Sequence, residues 1–166
     1  MSVAVILGSK SDLEIVQGAF DVFKEFGVDF VPRILSAHRT PEEAAQFAEN
    51  AAKNGVEVII CAAGMAAHLA GAIAGRTILP VIGIPVASAP FNGLDSLLAT
   101  VQMPPGIPVA TVTAGKAGGK NAALLAISIL ALKDAALAEK LLAFRRKQSA
   151  KVLADDESIR KEYAEN

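Results

Sequence analysis

Two histidines, an arginine beside one of them and a group of small hydroxyl residues are the side chains here best suited to chemistry. His38 lies in Ser36-Ala37-His38-Arg39-Thr40-Pro41, next to a permanent cation. With an unperturbed pKa of about 6.5, an imidazole gives or takes a proton near neutrality, and a guanidinium can clamp a phosphate through two parallel hydrogen bonds. The plain alternative is a surface His-Arg pair with no role. Gly8-Ser9-Lys10-Ser11-Asp12 surrounds an anion-sized space with backbone N–H groups and two hydroxyls at the start of a helix, where phosphate would fit. Ser11-Asp12-Leu13-Glu14, which overlaps its end, is equally an ordinary capping box. Asp12 would repel a phosphate at contact distance, so its natural partners in a ligand are ribose hydroxyls. A third run, Gly64-Met65-Ala66-Ala67-His68-Leu69, carries small residues that let a flat ring approach the backbone. His68 there is either a ligand-orienting residue or a satisfied core histidine.

Other chemistries find little support. The two histidines lack a convincing acidic or thiolate third ligand, which argues against a zinc site. Ala114-Gly115-Lys116-Ala117-Gly118-Gly119-Lys120-Asn121 departs from a phosphate-binding P-loop at its first glycine and at its magnesium-binding hydroxyl, and reads as a turn before a buried helix. No G-x-S-x-G elbow, H-E-x-x-H pair or dinucleotide fingerprint occurs. A net charge of −1 provides no basic field for nucleic acid or an anionic membrane. The lone Cys61 excludes an internal disulfide, and the absence of a signal-peptide pattern makes a cytoplasmic location the expectation. Val58 to Gly75 has no formally charged residue, but its glycines and β-rich first half suit a strand, a turn and a buried helix better than a membrane span.

Positioning these residues requires alternating strands and helices, the pattern of βαβ units on a parallel sheet. The strands are expected at Val3–Leu7, Phe30–Leu35, Val56–Ala62, Val81–Ile84 and Val109–Val112. Leu13, Val16, Ala19, Phe20, Phe23 and Phe26 form a helical stripe that Gly27 ends. Thr40-Pro41-Glu42-Glu43 starts a second helix that should run to about Asn54. Pro80 to Pro108 holds six of the eight prolines and only one charged residue, Asp95, with a short helix through Leu94–Val101. Asn121 to Leu132 is apolar on nearly every face, for which a partner subunit is the expected cover. A charged C-terminal helix over about residues 135–155 follows, fraying after Asp155, and the whole chain, residues 1–166, reads as one domain. The expected fold is therefore α/β, a three-layer αβα sandwich around a flavodoxin-like five-stranded parallel sheet of order 2-1-3-4-5. Ligands in such sheets bind beyond the carboxyl ends of the strands near the winding reversal, so the first three strand-to-helix loops should share one site.

In order along the chain, these motifs resemble the PurE family, whose class I members are N5-carboxyaminoimidazole ribonucleotide mutases. The likeness runs through Gly8-Ser9-Lys10-Ser11-Asp12, Ser36-Ala37-His38-Arg39-Thr40-Pro41, Ala66-Ala67-His68-Leu69 and Pro80-Val81-Ile82-Gly83. It continues in Gly93-Leu94-Asp95-Ser96-Leu97-Leu98, Val101-Gln102-Met103-Pro104 and Pro108-Val109-Ala110-Thr111. The resemblance implies a cofactor-free, metal-free transfer of a carboxyl group from the exocyclic nitrogen of a phosphorylated aminoimidazole ribonucleotide to a carbon of its ring. It makes His38 the proton-transfer residue and associates Ser9, Ser11, Ser36 and Arg39 with the phosphate, and Asp12 with the ribose. Ala37 falls within the same binding loop, and Gly64, Ala67, His68 and Leu69 fall at the imidazole and carboxylate. It further implies an octamer with sites shared between subunits. Met65 stands where many relatives have glycine and Ala70 where many have proline. Arg39 occupies a position where the class II carboxylases tend to have lysine, which favours the mutase over direct carboxylation with carbon dioxide. A non-catalytic flavodoxin-like nucleotide-binding module is the alternative of another kind, disfavoured by the lack of tryptophan and the single tyrosine.

Overall fold

The computed structural model describes residues 2–164. The elements in chain order are β1 Ser2–Leu7, α1 Leu13–Phe26, β2 Asp29–Ile34, α2 Pro41–Ala51, β3 Val56–Gly64, α3 Leu69–Ala74, β4 Val81–Val86, α4 Leu94–Val101, β5 Ala110–Thr111, α5 Lys116–Leu130 and α6 Ala135–Tyr163. The five strands form one parallel sheet in the order β2-β1-β3-β4-β5, as the alternation predicts. Successive side chains of a strand face opposite sides, so the apolar strands feed two cores. On one face Ala4, Ile6, Ile59, Cys61 and Val81 pack with Ala44, Ala48 and Ala51 of α2 and with Leu69, Ala70 and Ile73 of α3. On the other side, α1 and α5 lie against each other and α5 against β3 and β4. The chain divides between Leu130 and Ala131 into this α/β unit and a C-terminal helical unit.

The α1 stripe forms as expected, with Val16, Ala19, Phe20, Phe23 and Phe26 buried, although Leu13 at its start is left 43% exposed. Gly27 adopts φ 71°, and its N–H and that of Val28 close the helix end on Phe23 and Lys24 carbonyls. Phe30 of β2 stacks on Phe20 at 4.8 Å between ring centroids, fixing the edge strand to α1.

Several boundaries differ from expectation. The α2 helix ends at Ala51 rather than near Asn54, and the chain turns out through Gly55 at φ 79°. The β5 strand is confined to Ala110 and Thr111, since Pro108 brings no N–H to the ladder, although the Val112 N–H still reaches the Gly83 carbonyl. The run expected as a turn before α5 is its first turn. Lys116 to Gly119 are helical, and only Gly115, at φ 75°, belongs to the preceding bend. A Cβ on Gly119 would stand 2.2 Å from the Ile15 carbonyl oxygen and one on Gly118 2.0 Å from that of Thr113. These glycines serve close packing, not flexibility. One face of α5 is buried through Ala122, Ala123, Ala126, Ile127 and Leu130, whereas Leu124, Leu125 and Ile129 are half-buried. The α6 helix begins at Ala135, capped by the Asp134 side chain, and continues past Asp155 to Tyr163. A Glu157–Lys161 pair one turn apart and two basic residues in the last turn support the extension. The uncharged run from Val58 to Gly75 splits into β3 and α3, and among the described residues no helix is long and apolar enough to cross a membrane.

Candidate active site

The loops that leave β1, β2 and β3 emerge at the carboxyl edge of three adjacent strands and enclose a cleft of about 670 Å³. Ser9, Ser11, Asp12, Ser36, Ala37, His38, Arg39, Gly64, Ala67, His68 and Leu69 all line it, so every residue singled out from the sequence arrives at one place. Two loops that began as ambiguous local patterns are thus walls of the same space.

In the β1 loop the cap is displaced by two residues from the Ser11–Glu14 box. Ser9 is the capping residue of a short 3-10 turn, Lys10–Asp12, that leads into α1. The Ser11 N–H donates to Ser9 Oγ at 3.3 Å, and Asp12 Oδ2 accepts from the Ser9 N–H at 3.0 Å. The capping and anion-binding readings do not compete, because the same geometry holds both hydroxyls at the cleft wall. Asp12 is buried, which raises its pKa, and hydrogen bonds from Ser9 and Ser11 and the charge of Arg39 offset only part of that rise.

In the β2 loop Ser36 Oγ accepts from the Arg39 N–H at 3.1 Å and lies 3.4 Å from both the His38 N–H and Arg39 Nε. Thr40, expected as the cap of α2, makes no side-chain cap. Its hydroxyl turns back to accept from the Ser36 N–H at 2.9 Å and donate to the Ser36 carbonyl at 3.2 Å, which closes the loop on itself. Arg39 crosses to the first loop and donates to the Gly8 carbonyl at 2.7 Å.

The β3 loop brings His68 to His38, with Nε2 of His38 2.8 Å from Nδ1 of His68 and the rings edge-on at 4.9 Å between centroids. His68 is exposed at the cleft, which removes the core-histidine alternative. In that contact one ring must donate and the other accept. The Ala67 N–H donates to the Gly64 carbonyl at 3.1 Å, closing a turn with Met65 and Ala66 at its centre. Met65 has φ 55°, while Ala66 is not among the residues with positive φ. That combination is the mark of a type II′ turn, whose first central position favours glycine. A methionine there costs roughly 1–2 kcal/mol, and its side chain stands 65% exposed at the rim. Ala70 is buried in the α2–α3 core.

Three cleft residues had no place in the sequence argument: Ala63, Val86 and Ser88. Val86 ends β4, the next strand in the sheet, and Ser88 lies in the loop that follows it, and the rule that ligands gather at strand carboxyl ends could have included both. Among the described residues, no group of three or more His, Cys, Asp and Glu is placed to hold a metal ion.

A family model described as AIR carboxylase matches residues 2–151 of this chain. The chain belongs to the AIR carboxylase family. Among curated family members, the N5-carboxyaminoimidazole ribonucleotide mutase of Saccharolobus solfataricus is 55% identical over 152 residues, which cover 92% of this chain and 95% of that one. The mutase of the same name from Escherichia coli is 50% identical over 151 residues, 91% of this chain and 89% of its own. The crystal structure of Treponema denticola PurE superposes with a TM-score of 0.85 at 30% identity and covers 95% of this chain and 97% of that one. The resemblance drawn from the loop motifs is thus borne out by a family match over residues 2–151, and the expected sheet order is the one observed.

Proposed function

We propose that this protein is an N5-carboxyaminoimidazole ribonucleotide mutase that moves a carboxyl group from the exocyclic nitrogen of its substrate to a carbon of the imidazole ring. The observation that carries the reading is the convergence on one cleft of an imidazole, an arginine and a cradle of N–H and hydroxyl donors. The cradle of Ser9, Ser11 and Ser36 with Arg39 holds the phosphate, Asp12 accepts from the ribose, and the Gly64–Leu69 loop lies against the ring and carboxylate. In the reaction the exocyclic N–C bond breaks and releases carbon dioxide, and the nitrogen takes a proton from His38. The ring carbon then attacks the trapped carbon dioxide, a C–C bond forms, and the ring proton leaves to His38. His38 thus returns to its starting state, and the sum is an isomerisation without cofactor. Carbon dioxide must not escape, so the cleft has to close against water during turnover.

The chain is also proposed to work as a cytoplasmic homo-oligomer, an octamer with sites shared between subunits. Supporting this, Phe91, Leu94, Leu98 and Val101 on and beside α4 are between 48% and 64% exposed, an apolar surface of the kind that marks an interface.

Purified protein supplied with the N-carboxylated ribonucleotide should form the C-carboxylated product rapidly. Efficient turnover only with the uncarboxylated ribonucleotide plus bicarbonate would instead make it a direct carboxylase. Turnover with neither supply would leave a binding module.

A further inference from the structure

Ser88 extends β4 at the edge of the cleft, beyond the three loops to which roles have been given. The parallel register ends with Gly64 opposite Val86, and Ser88, two residues further on, lines the same cleft as the third loop. The two strand ends are close enough that a Cβ on Gly64 would meet the Val86 carbonyl oxygen at 3.1 Å. The Oγ of Ser88 is buried and has no hydrogen-bond partner among the described residues, although the residue itself lines the cleft. Its neighbour Ser96 is placed differently, with an Oγ at 3.0 Å from both the Val86 and the Gly93 carbonyls. Of the remaining buried side-chain atoms, Asp95 Oδ1 also lacks a partner, but Asp95 is not part of the cleft wall. Buried hydroxyls are normally satisfied, so an orphan in the wall of a binding cleft points to a partner that arrives with the ligand.

The position along the sheet says which part of the ligand that is. The phosphate cradle stands on the ends of β1 and β2, and β4 lies two strands beyond β1. Two inter-strand steps span roughly 10 Å, about the reach of a ribonucleotide from its phosphate to the far edge of its heterocycle. At the ends of β3 and β4 the cleft is lined by Ala63, Gly64 and Val86, none of which carries a charge. A neutral donor there suits a group whose charge must be released and recaptured. A permanent cation would hold the carboxylate most tightly in the ground state and oppose cleavage of its bond to nitrogen.

Resting on the mutase reading, we propose that Ser88 is a substrate-contacting residue. Its hydroxyl rotates about the Cα–Cβ bond into the cleft and donates a hydrogen bond to an oxygen of the migrating carboxyl group. Ser88→Ala tests this by calorimetric titration with two ligands, the C-carboxylated ribonucleotide and the uncarboxylated one. The variant should bind the carboxylated ligand about tenfold more weakly, the size of one hydrogen bond to a charged group. Its affinity for the uncarboxylated ligand should be unchanged, its melting temperature equal or higher, and more of the N-carboxylated substrate should be lost as the uncarboxylated compound. Equal affinities in the variant and the wild type, or equal losses for both ligands, would overturn the assignment while leaving the mutase standing. A wild-type protein that binds neither ligand would overturn both.

Discussion

At the scale of single residues, the chemistry rests on groups whose states are set by their neighbours. His38→Asn keeps a polar side chain of similar reach but cannot relay a proton, so turnover should fall by about 10²–10⁴-fold with the melting temperature little changed. A steady-state assay beside a thermal melt checks it, and full activity in that variant would remove the central assignment. Asp12 makes a separate, titrating contribution. Its folded pKa is raised, chiefly by burial, above the ordinary 3.8. Between that raised value and 3.8 the folded chain binds the proton more readily than the unfolded chain, so this group adds stability as pH falls and subtracts it as pH rises. Asp12→Asn keeps an acceptor for the Ser9 N–H without the buried charge. It should therefore be more stable than wild type at pH 7, and the advantage should shrink as pH is lowered through the raised value toward 3.8. Denaturant melts across that range measure the difference. The residue types of this site were legible in the chain, because strand-end loops announce themselves by their glycines, hydroxyls and caps. The His38–His68 contact was not, since the two lie thirty positions apart and only the β2-β1-β3 order brings their loops together.

At the scale of elements, glycine carries the two lessons in which local pattern and tertiary structure part. Gly118 and Gly119 look like turn residues in sequence, yet they are helical and allow α5 to approach α1 and the Thr113 backbone. Sequence shows a residue without a side chain but not what occupies the space. Gly119→Ala would force a methyl against the fixed Ile15 carbonyl and should cost about 1–3 kcal/mol. Gly18→Ala on the facing helix is the control, because its methyl is crowded only by the Lys120 side chain, with Cγ at 2.9 Å, which can swing aside, while the Lys116 carbonyl oxygen stays at an ordinary 3.8 Å. That change should be neutral or slightly stabilising through helix propensity. Met65 is the converse case, a long side chain where the turn favours glycine. Met65→Gly should gain roughly 1 kcal/mol, which for a chain of this size raises the melting temperature by about 2–4 °C. Differential scanning calorimetry on the three variants separates these effects. The alternation of strands and helices was readable throughout, because β-branched runs and amphipathic stripes are local properties. The ends of α2, β5 and α5 were not, because packing and turn closure decide them.

At the scale of the whole molecule, the sheet order is the one expected as the commonest for five parallel strands, while the outward apolar face of α4 is visible only once the fold exists. The sequence shows α4 as Leu94-Asp95-Ser96-Leu97-Leu98-Ala99-Thr100-Val101, apolar enough to be core. In the fold only Ser96 and Thr100 of that helix are buried, through hydroxyls bonded to backbone carbonyls, while Leu94, Leu98 and Val101 face outward. Polar residues inside and leucines outside make sense for a helix whose outer face is covered by a second copy of the chain. In such an interface Leu98→Glu would bury a carboxylate with no partner, a penalty of several kcal/mol in each subunit. The same change on a face that stays in water should cost well under 1 kcal/mol. Light scattering coupled to size-exclusion chromatography should therefore show the wild type as a large closed assembly and Leu98→Glu as a smaller species with its helical signal intact. If the sites are shared between subunits, activity should fall with the mass and recover in neither dilute nor concentrated variant. An unchanged mass would place the interface elsewhere, and a reduced mass with full activity would show that each α/β unit completes its own site.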